Sequence, residues 1–392
     1  MSATLAEDLA YWEERDQTYM GSKMQSSTKI VIFGHGQIGT ACGKFIYDLF
    51  YNKLGPAATD VYEIWDKVAP ADVHRVDIDQ LSVMEIAGLL VSVKATHVIV
   101  AMPFQYNEKI AQAACHAECH YIDFTEDDLM ADKVQAIYKD SGLTCAVKCG
   151  LAPGFINYLG HSLVRDIVGE VPTGAAGTCS DLMISVGALP RNVNGSNPRD
   201  WYNLSWSVDG LVNEYIRPCR VRIRGQEIEI PALTGKERVL ADGNEYEARY
   251  TSGGVGSLVK ELKHVQNVAY KTLRYPGHYD YVVDAVNRHR ADFNGIKSEF
   301  LRTFPFNPDD VIVVYAEAKG VDANNTYIRR SYSSHFVGVD GLTAIQSTTA
   351  GSGVAVLELM LDQQIFGIIN HADISLEMIS QTFTFKSSYK KK

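Results

Sequence analysis

The sequence predicts an α/β chain in which a doubly wound parallel sheet precedes an inserted α+β domain with a largely antiparallel sheet. Three observations predict it. Short apolar runs alternate with helical periods over the first 150 residues, a glycine-rich turn joins the first run to the first helix, and turn-rich hairpin patterns replace the alternation after Lys148.

Length and charge set the outer bounds. A chain of 392 residues exceeds one small core and points to two or three domains. A net charge of −10 argues against a nucleic-acid partner and against an anionic membrane surface, since both need a basic face. No apolar run reaches the length of a membrane span. Residues 1–28 are acidic and carry no apolar signal core, so a secretory leader is not expected and a cytoplasmic setting is. Within them, Leu5–Tyr19 has the length of a short surface helix. The seven scattered cysteines fit a reducing compartment better than a disulfide framework. In CHAECH, Cys115 and Cys119 share one helical face and His116 and His120 another. No further ligands follow at metal-site spacing, so no metal is expected.

The expected strands are Lys29–Phe33, Val61–Trp65, Val73–Asp77, His97–Ala101, His120–Phe124 and Thr144–Lys148. Most are continuous apolar runs, as strands covered on both faces require. Helices are expected at Ile38–Phe50 and Asn107–Ala117. The turn Gly34-His35-Gly36-Gln37-Ile38-Gly39 reads G-x-G-x-x-G between strand and helix. Gly34 makes the turn, Gly36 admits a pyrophosphate to the backbone, and Gly39 lets helix and strand pack closely. The first N–H groups of the helix then face the phosphates. This context makes the pattern a Rossmann-type dinucleotide site. His35 is either a further donor or a loop-edge residue. Asp66 follows the second strand, where a carboxylate accepts from the ribose hydroxyls and favours NAD. Lys67 beside it suits a 2′-phosphate, which keeps NADP open. Asp77 closes the third strand, as an adenine neighbour or as a solvated loop carboxylate. Met102 and Pro103, after the fourth strand, belong to the edge that lines the cofactor crevice.

The second half opens with CGLAPGF and a helix at Ile156–Val168. Hairpins follow at Arg220–Ile230, turning at Arg224–Gly225, and at Val239–Tyr250, turning at Asp242–Gly243. A strand pair spans Val311–Ile328. The chain is divided accordingly into an extension at 1–28, a dinucleotide domain at 29–154, a substrate domain at 155–340 and a return segment with tail at 341–392. The tail SSYKKK reads as a solvated terminus.

Several motifs in this half occur together and in order: GLAPGF with Asn157, VGALP, LSWSVDGLVNEYIRP, LRYPGH and GLTAIQSTTAGSGVAVLELML. Over residues 29–361 the chain resembles the saccharopine dehydrogenase family, most closely its lysine 6-dehydrogenase and saccharopine reductase branches. The resemblance implies hydride transfer between a nicotinamide cofactor and a C–N bond of an amino acid. It also implies a small-residue helix at Thr343–Leu361 packing back on the nucleotide domain, and a homodimer or larger homo-oligomer.

Amine oxidation by hydride transfer needs an oriented C–H, a base for the amine proton and a cation for the substrate carboxylate. Asp123, at the end of the fifth strand, is the first candidate for proton transfer, with helix capping as its other reading. Cys149, next to Lys148, matches a catalytic cysteine of some saccharopine reductases and departs from lysine 6-dehydrogenase-like sequences. A small buried residue is its other reading. His278 is a further base candidate. Arg274 offers a bidentate fork to a carboxylate, or an ion pair within the fold. Glu214, Tyr215 and Arg217 supply both charges, and Trp206 is an apolar wall or a core residue. Ser252–Ser257 (SGGVGS) is a mobile lid or an ordinary loop. The narrowest activity is oxidation of the lysine ε-amine. Saccharopine reduction and a carboxynorspermidine-type polyamine reaction are the alternatives, and a cofactor-binding sensor or scaffold is the reading outside catalysis.

Overall fold

A computed structural model of the chain describes residues 28–55, 61–68, 74–169, 177–193 and 201–392. The helix expected at Leu5–Tyr19 and the residue Val73 lie outside the described residues. The chain divides into two compact units. One holds the described chain through Phe155 and again Gln346–Tyr389; the other holds Ile156–Ile345 and Lys390–Lys392.

The first unit alternates as its apolar runs dictate. In chain order it contains β1 (Ile30–Phe33), α1 (Gln37–Leu54), β2 (Tyr62–Asp66), β3 (His74–Arg75), α2 (Val83–Ser92), β4 (His97–Val100), α3 (Asn107–His116), β5 (His120–Asp123), α4 (Asp128–Tyr138) and β6 (Cys145–Ala146). Every pairing is parallel, in the order β3-β2-β1-β4-β5-β6. The order reverses between β1 and β4, so a crevice opens at their carboxyl ends. Ile30–Phe33 have no exposed surface, because helices cover both faces of the sheet. Val31, Phe33, Val98 and Val100 pack with Ile110 and Ala113 of α3.

Two helices not named from the sequence carry their own start signals. Ser82 and Glu85 form a reciprocal capping box on α2, and Asp127 accepts from Met130 N (2.9 Å) on α4.

The second unit begins within α5 (Phe155–Val168). It continues through β7 (Thr178–Pro190), α6 (Val208–Ile216), β8 (Cys219–Ile223), β9 (Gln226–Ile230), β10 (Glu237–Ala241), β11 (Asn244–Tyr250), α7 (Leu258–Glu261), β12 (Asn267–Arg274), α8 (His278–Arg288), α9 (Phe293–Thr303), β13 (Asp310–Val321) and β14 (Tyr327–Val337). Among the described residues every pairing is antiparallel except β12 on β7. The hairpin turns fall at Arg224–Gly225 and Asp242–Gly243, where both residues of each pair have positive φ. The last strand pair extends to Val337, well past the expected Ile328, because Ser331–Val337 keep pairing with β13. The β10–β11 hairpin folds back over the sheet, burying Val239, Ala241 and Tyr246 with Leu189, Val311 and Val313. His335 pins it, with Nδ1 2.9 Å from Asp242 Oδ2 and Nε2 2.8 Å from the Tyr246 hydroxyl.

The chain then enters α10 (Ala344–Leu361), β15 (Ile368–Ile369), α11 (Leu376–Gln381), α12 (Phe383–Ser388) and β16 (Lys390–Lys391). β15 adds a seventh parallel strand beside β6. The small residues of α10 serve close packing in the first unit: a Cβ on Gly353 would lie 2.4 Å from the Phe124 ring. The basic tail is not a free terminus. Lys390 and Lys391 pair with Val337 and Phe336, and Lys392 N donates to His335 O (3.0 Å).

Asp310, 1% exposed, caps α10 by accepting from Ala344 N (2.5 Å) and Ile345 N (3.1 Å). Replacing it strips two N–H groups of their acceptor, at a cost of about 1–2 kcal/mol. Asp310→Ala should unfold several degrees below the native chain in a thermal melt, with Asp310→Asn in between. Coincident melts would show that the cap is dispensable.

Candidate functional site

In the first unit the glycine turn has the shape its spacing predicts. Gly34 has φ +106°, and a Cβ there would lie 2.5 Å from Ala101 O. A Cβ on Gly39 would lie 1.9 Å from Gly34 O, so any side chain would push α1 off β1. A Cβ on Gly36 would meet nothing within 4 Å. Gly36 is also the N-cap of α1, and no side chain caps that end. Gly36 and Gln37 are exposed, and His35 and Ile38 half-buried. The result is an open cradle with uncapped donors, which fits a pyrophosphate.

Asp66 is tied into this cradle. Its Oδ2 accepts from His35 N (2.8 Å) and its Oδ1 from Val68 N (2.9 Å). Each oxygen keeps a second lone pair for a ribose hydroxyl. Met102 packs against Gly34, and Pro103 stands exposed beyond it, before the turn Phe104–Tyr106. Asp77 forms a turn after β3, accepting from Asp79 N (3.1 Å). Lys67 pairs with Asp79 (3.3 Å).

Asp123 lies enclosed at the end of β5. Its carboxylate has no exposed surface and accepts from Asn107 Nδ2 (2.8 Å), Tyr121 OH (3.1 Å), Lys148 N (3.0 Å) and Thr125 N (3.1 Å). Burial raises its pKa against these four bonds. An acid so enclosed joins β5, α3 and the end of β6. Cys149 is 1% exposed, its thiol turned to Val147 O (3.6 Å) and its N–H bonded to Asp123 O (2.9 Å), which fits the small buried residue. Lys148 is also buried and pairs with Asp128. Asn107 and Asp128 were not singled out from the sequence. The helical position of Asn107 was legible; its partner, and the place of Asp128 on α4, were not.

The CHAECH groups turn to separate partners. Cys119 Sγ faces Ala95 O (3.3 Å), and His120 Nδ1 accepts from Thr144 N (2.8 Å). Among the described residues no group of three or more His, Cys, Asp or Glu could hold a metal ion.

In the second unit, four residues chosen from two separate motifs form one cluster. Arg274, at the end of β12, is 1% exposed. Its Nε donates to Tyr215 OH (2.9 Å), Nη1 to Leu273 O (2.9 Å) and Nη2 to Glu214 Oε2 (3.4 Å). The guanidinium also lies 4.7 Å from the centre of the Tyr202 ring. Its fork is therefore engaged by the chain itself. Glu214 retains an accessible edge, its side chain 11% exposed. Burial pushes its carboxyl from 4.5 to about 7, against the pull of Arg274 and of the Thr272 hydroxyl.

His278 has no exposed surface, with Nε2 3.4 Å from Tyr215 OH and Nδ1 without a partner among the described residues. Burial and then the Arg274 charge lower its proton affinity, so it is neutral and enclosed. Arg217 stands exposed as the C-cap of α6.

Trp206 is half-buried, its Nε1 donating to Tyr202 OH (2.7 Å). A Cβ on Gly210 would lie 2.4 Å from the Trp206 ring, so the indole rests on the glycine face of α6. Glu214 lies one turn further on that face. Tyr202 and Thr272 were missed; only the aromatic density of WYNLSW hinted at the first. Ser252–Ser257 is a packed loop. Gly254 and Gly256 are buried, Ser252 N donates to Glu214 O (3.0 Å), and a Cβ on Gly254 would lie 2.3 Å from the Tyr270 ring.

These features give two units, with a glycine-turn crevice in one and an acid–aromatic cluster in the other. A family model for the saccharopine dehydrogenase C-terminal domain matches residues 150–378, more than half of the chain. The chain belongs to the saccharopine dehydrogenase family. Solved structures carry the same fold. Apo saccharopine dehydrogenase (L-Glu forming) from Saccharomyces cerevisiae aligns with TM-score 0.72 and 13% identity, over 93% of this chain and 99% of that one. A homospermidine synthase from Legionella pneumophila, solved with NAD, aligns with TM-score 0.64 and 11% identity, over 93% and 90%. At these identities the likeness shows the fold, and the chain has a saccharopine dehydrogenase-like NAD(P) oxidoreductase fold.

The Glu214 carboxyl gives a pH test with a definite sign. Its folded pKa is raised, so its contribution to stability is full below the unfolded value of 4.5 and is lost as pH rises through about 7. Unfolding free energies of the native chain and Glu214→Gln should therefore diverge in favour of the variant from about pH 5 to about pH 8. The constant offset from leaving Arg274 unpaired does not affect that slope. A pH-independent difference would refute the shift.

Proposed function

We propose that the chain is an NAD(P)-dependent oxidoreductase acting at a C–N bond of an amino acid or related amine, most narrowly the lysine ε-amine. The observation that carries this reading is the contrast between Glu214 and Arg274. Each Arg274 nitrogen donates one bond within the unit, whereas the Glu214 side chain is 11% exposed and lies on the α6 face that carries the Trp206 ring. An anion next to an aromatic wall suits a substrate ammonium and an aliphatic stem.

A carboxylate with a pKa near neutrality can take the proton that the ammonium must lose before its carbon is oxidised. The Gly34–Gly39 cradle and Asp66 would hold a nicotinamide cofactor, which would supply the hydride acceptor. The amine carbon gives up a hydride and the nitrogen a proton. Water adds to the resulting imine, and ammonium leaves to give the aldehyde. Arg274 holds Glu214 in place, and Tyr215 holds Arg274.

Saccharopine carries three carboxylates and calls for several free cations. The engaged Arg274 supports that substrate less well. The same acid–aromatic pair supports a polyamine-type amine as the second reading.

Initial rates of NAD and NADP reduction with L-lysine, saccharopine and a simple diamine should separate these readings. Lysine turnover supports the ε-amine, diamine turnover the second reading, and saccharopine turnover alone overturns both. Cofactor binding without turnover of any amine would favour the sensor or scaffold. Gly39→Ala should abolish cofactor binding, measured by titration, while the fold persists by circular dichroism. Unchanged binding would remove the cradle from the proposal.

A further inference from the structure

The end of β2 carries a cation that the cofactor fingerprint does not explain. Lys67 directly follows Asp66, so it stands where a 2′-phosphate would arrive if the cofactor were NADP. Its ammonium is not left to that role: Asp79 Oδ2 lies 3.3 Å from Lys67 Nζ.

The position of Asp79 is built from two further sides. Its N–H donates to Asp77 Oδ1 (3.1 Å), and Gln80 N donates to Asp77 O (3.1 Å), fixing the turn after β3. Tyr106 OH, beyond β4, donates to Asp79 Oδ2 (3.4 Å). Three aspartates, Asp66, Asp77 and Asp79, thus accompany Lys67 and Arg75, which is the cross-strand neighbour of Asp66. A 2′-phosphate brings up to about two negative charges into that group.

We infer that Asp79 is a specificity-determining residue that favours NAD over NADP by engaging Lys67 and adding negative charge where a 2′-phosphate would lie. The inference rests on the dinucleotide reading of this unit. The pair is half exposed to water, 52% and 46%, so its leverage is modest and sensitive to salt.

The test is equilibrium binding of NADH and NADPH to the full chain, followed by nucleotide fluorescence at low ionic strength. Asp79→Asn should tighten NADPH about threefold and leave NADH unchanged, and raised salt should shrink the gain. The gain should be smaller in a Lys67→Ala background, because part of it passes through the freed ammonium. Equal effects on both nucleotides, or none on NADPH, would overturn the inference. A gain undiminished in the Lys67→Ala background would overturn the part assigned to Lys67. Failure of the native chain to bind either nucleotide would instead sink the dinucleotide reading, and this inference with it.

Discussion

A buried arginine sets the terms for the second unit. A guanidinium cannot give up its proton, so enclosing Arg274 obliges the chain to bring acceptors to it. Leu273 O is supplied by the preceding residue, and Tyr215 OH and Glu214 by α6. Tyr202 lays its ring against the cation. The demand fixes the rotation of α6. Glu214 and Tyr215 are adjacent on a helix, about 100° apart, so both meet Arg274 only when it lies between them. Tyr215 then enters the core with Tyr279 and Phe300, and Glu214 is left at the edge. Tyr279 closes the arrangement by donating to Thr272 O (2.6 Å), tying the start of α8 to β12.

The first unit is governed by close approach instead of charge. The contact between Gly39 and the Gly34 carbonyl sets how near α1 comes to β1, and that nearness brings the helix start under Asp66. One carboxylate thereby serves two purposes, holding the loop through His35 N and presenting lone pairs to whatever the loop binds. Asp123 works differently. Its four donors come from β5, α3 and the segments after β5 and β6, so it sums the geometry of the strand ends into one buried node.

Much of this was legible in the sequence. Six short runs, most of them apolar, mark the parallel strands, the glycine spacing marks the turn, and two separated motifs hold Glu214, Tyr215, Arg274 and His278, which the fold unites. What was not legible shares a cause. Asp123 and His278 carry the right chemistry for catalysis, but enclosure depends on residues distant in sequence: Asn107 and Lys148 around one, Tyr202 and Phe304 around the other. Ser252–Ser257 was left between a lid and an ordinary loop for another reason. Glycine permits movement but is also required by close contact, as Gly254 is by Tyr270. The two-residue β15 has too little periodicity to read, and the parallel pairing of β12 with β7 joins strands about 90 residues apart, beyond any local signal.

Asp123 and Glu214 show why enclosure alone does not make a reactive acid. Burial raises the pKa of both. At Asp123 four donors complete the shell, and a proton could arrive only by breaking it. At Glu214 the shell is smaller, with Thr272 on one oxygen, Arg274 on the other and a side chain 11% exposed. Arg274 keeps the anion stable enough to exist, and burial keeps it basic enough to accept a proton near neutrality. A fully solvated carboxylate would lack the second property, and a fully bonded one would lack access. On the proposed reading, Glu214 therefore takes the proton-transfer role that the sequence suggested for Asp123, and Arg274 acts through it, not on a substrate carboxylate.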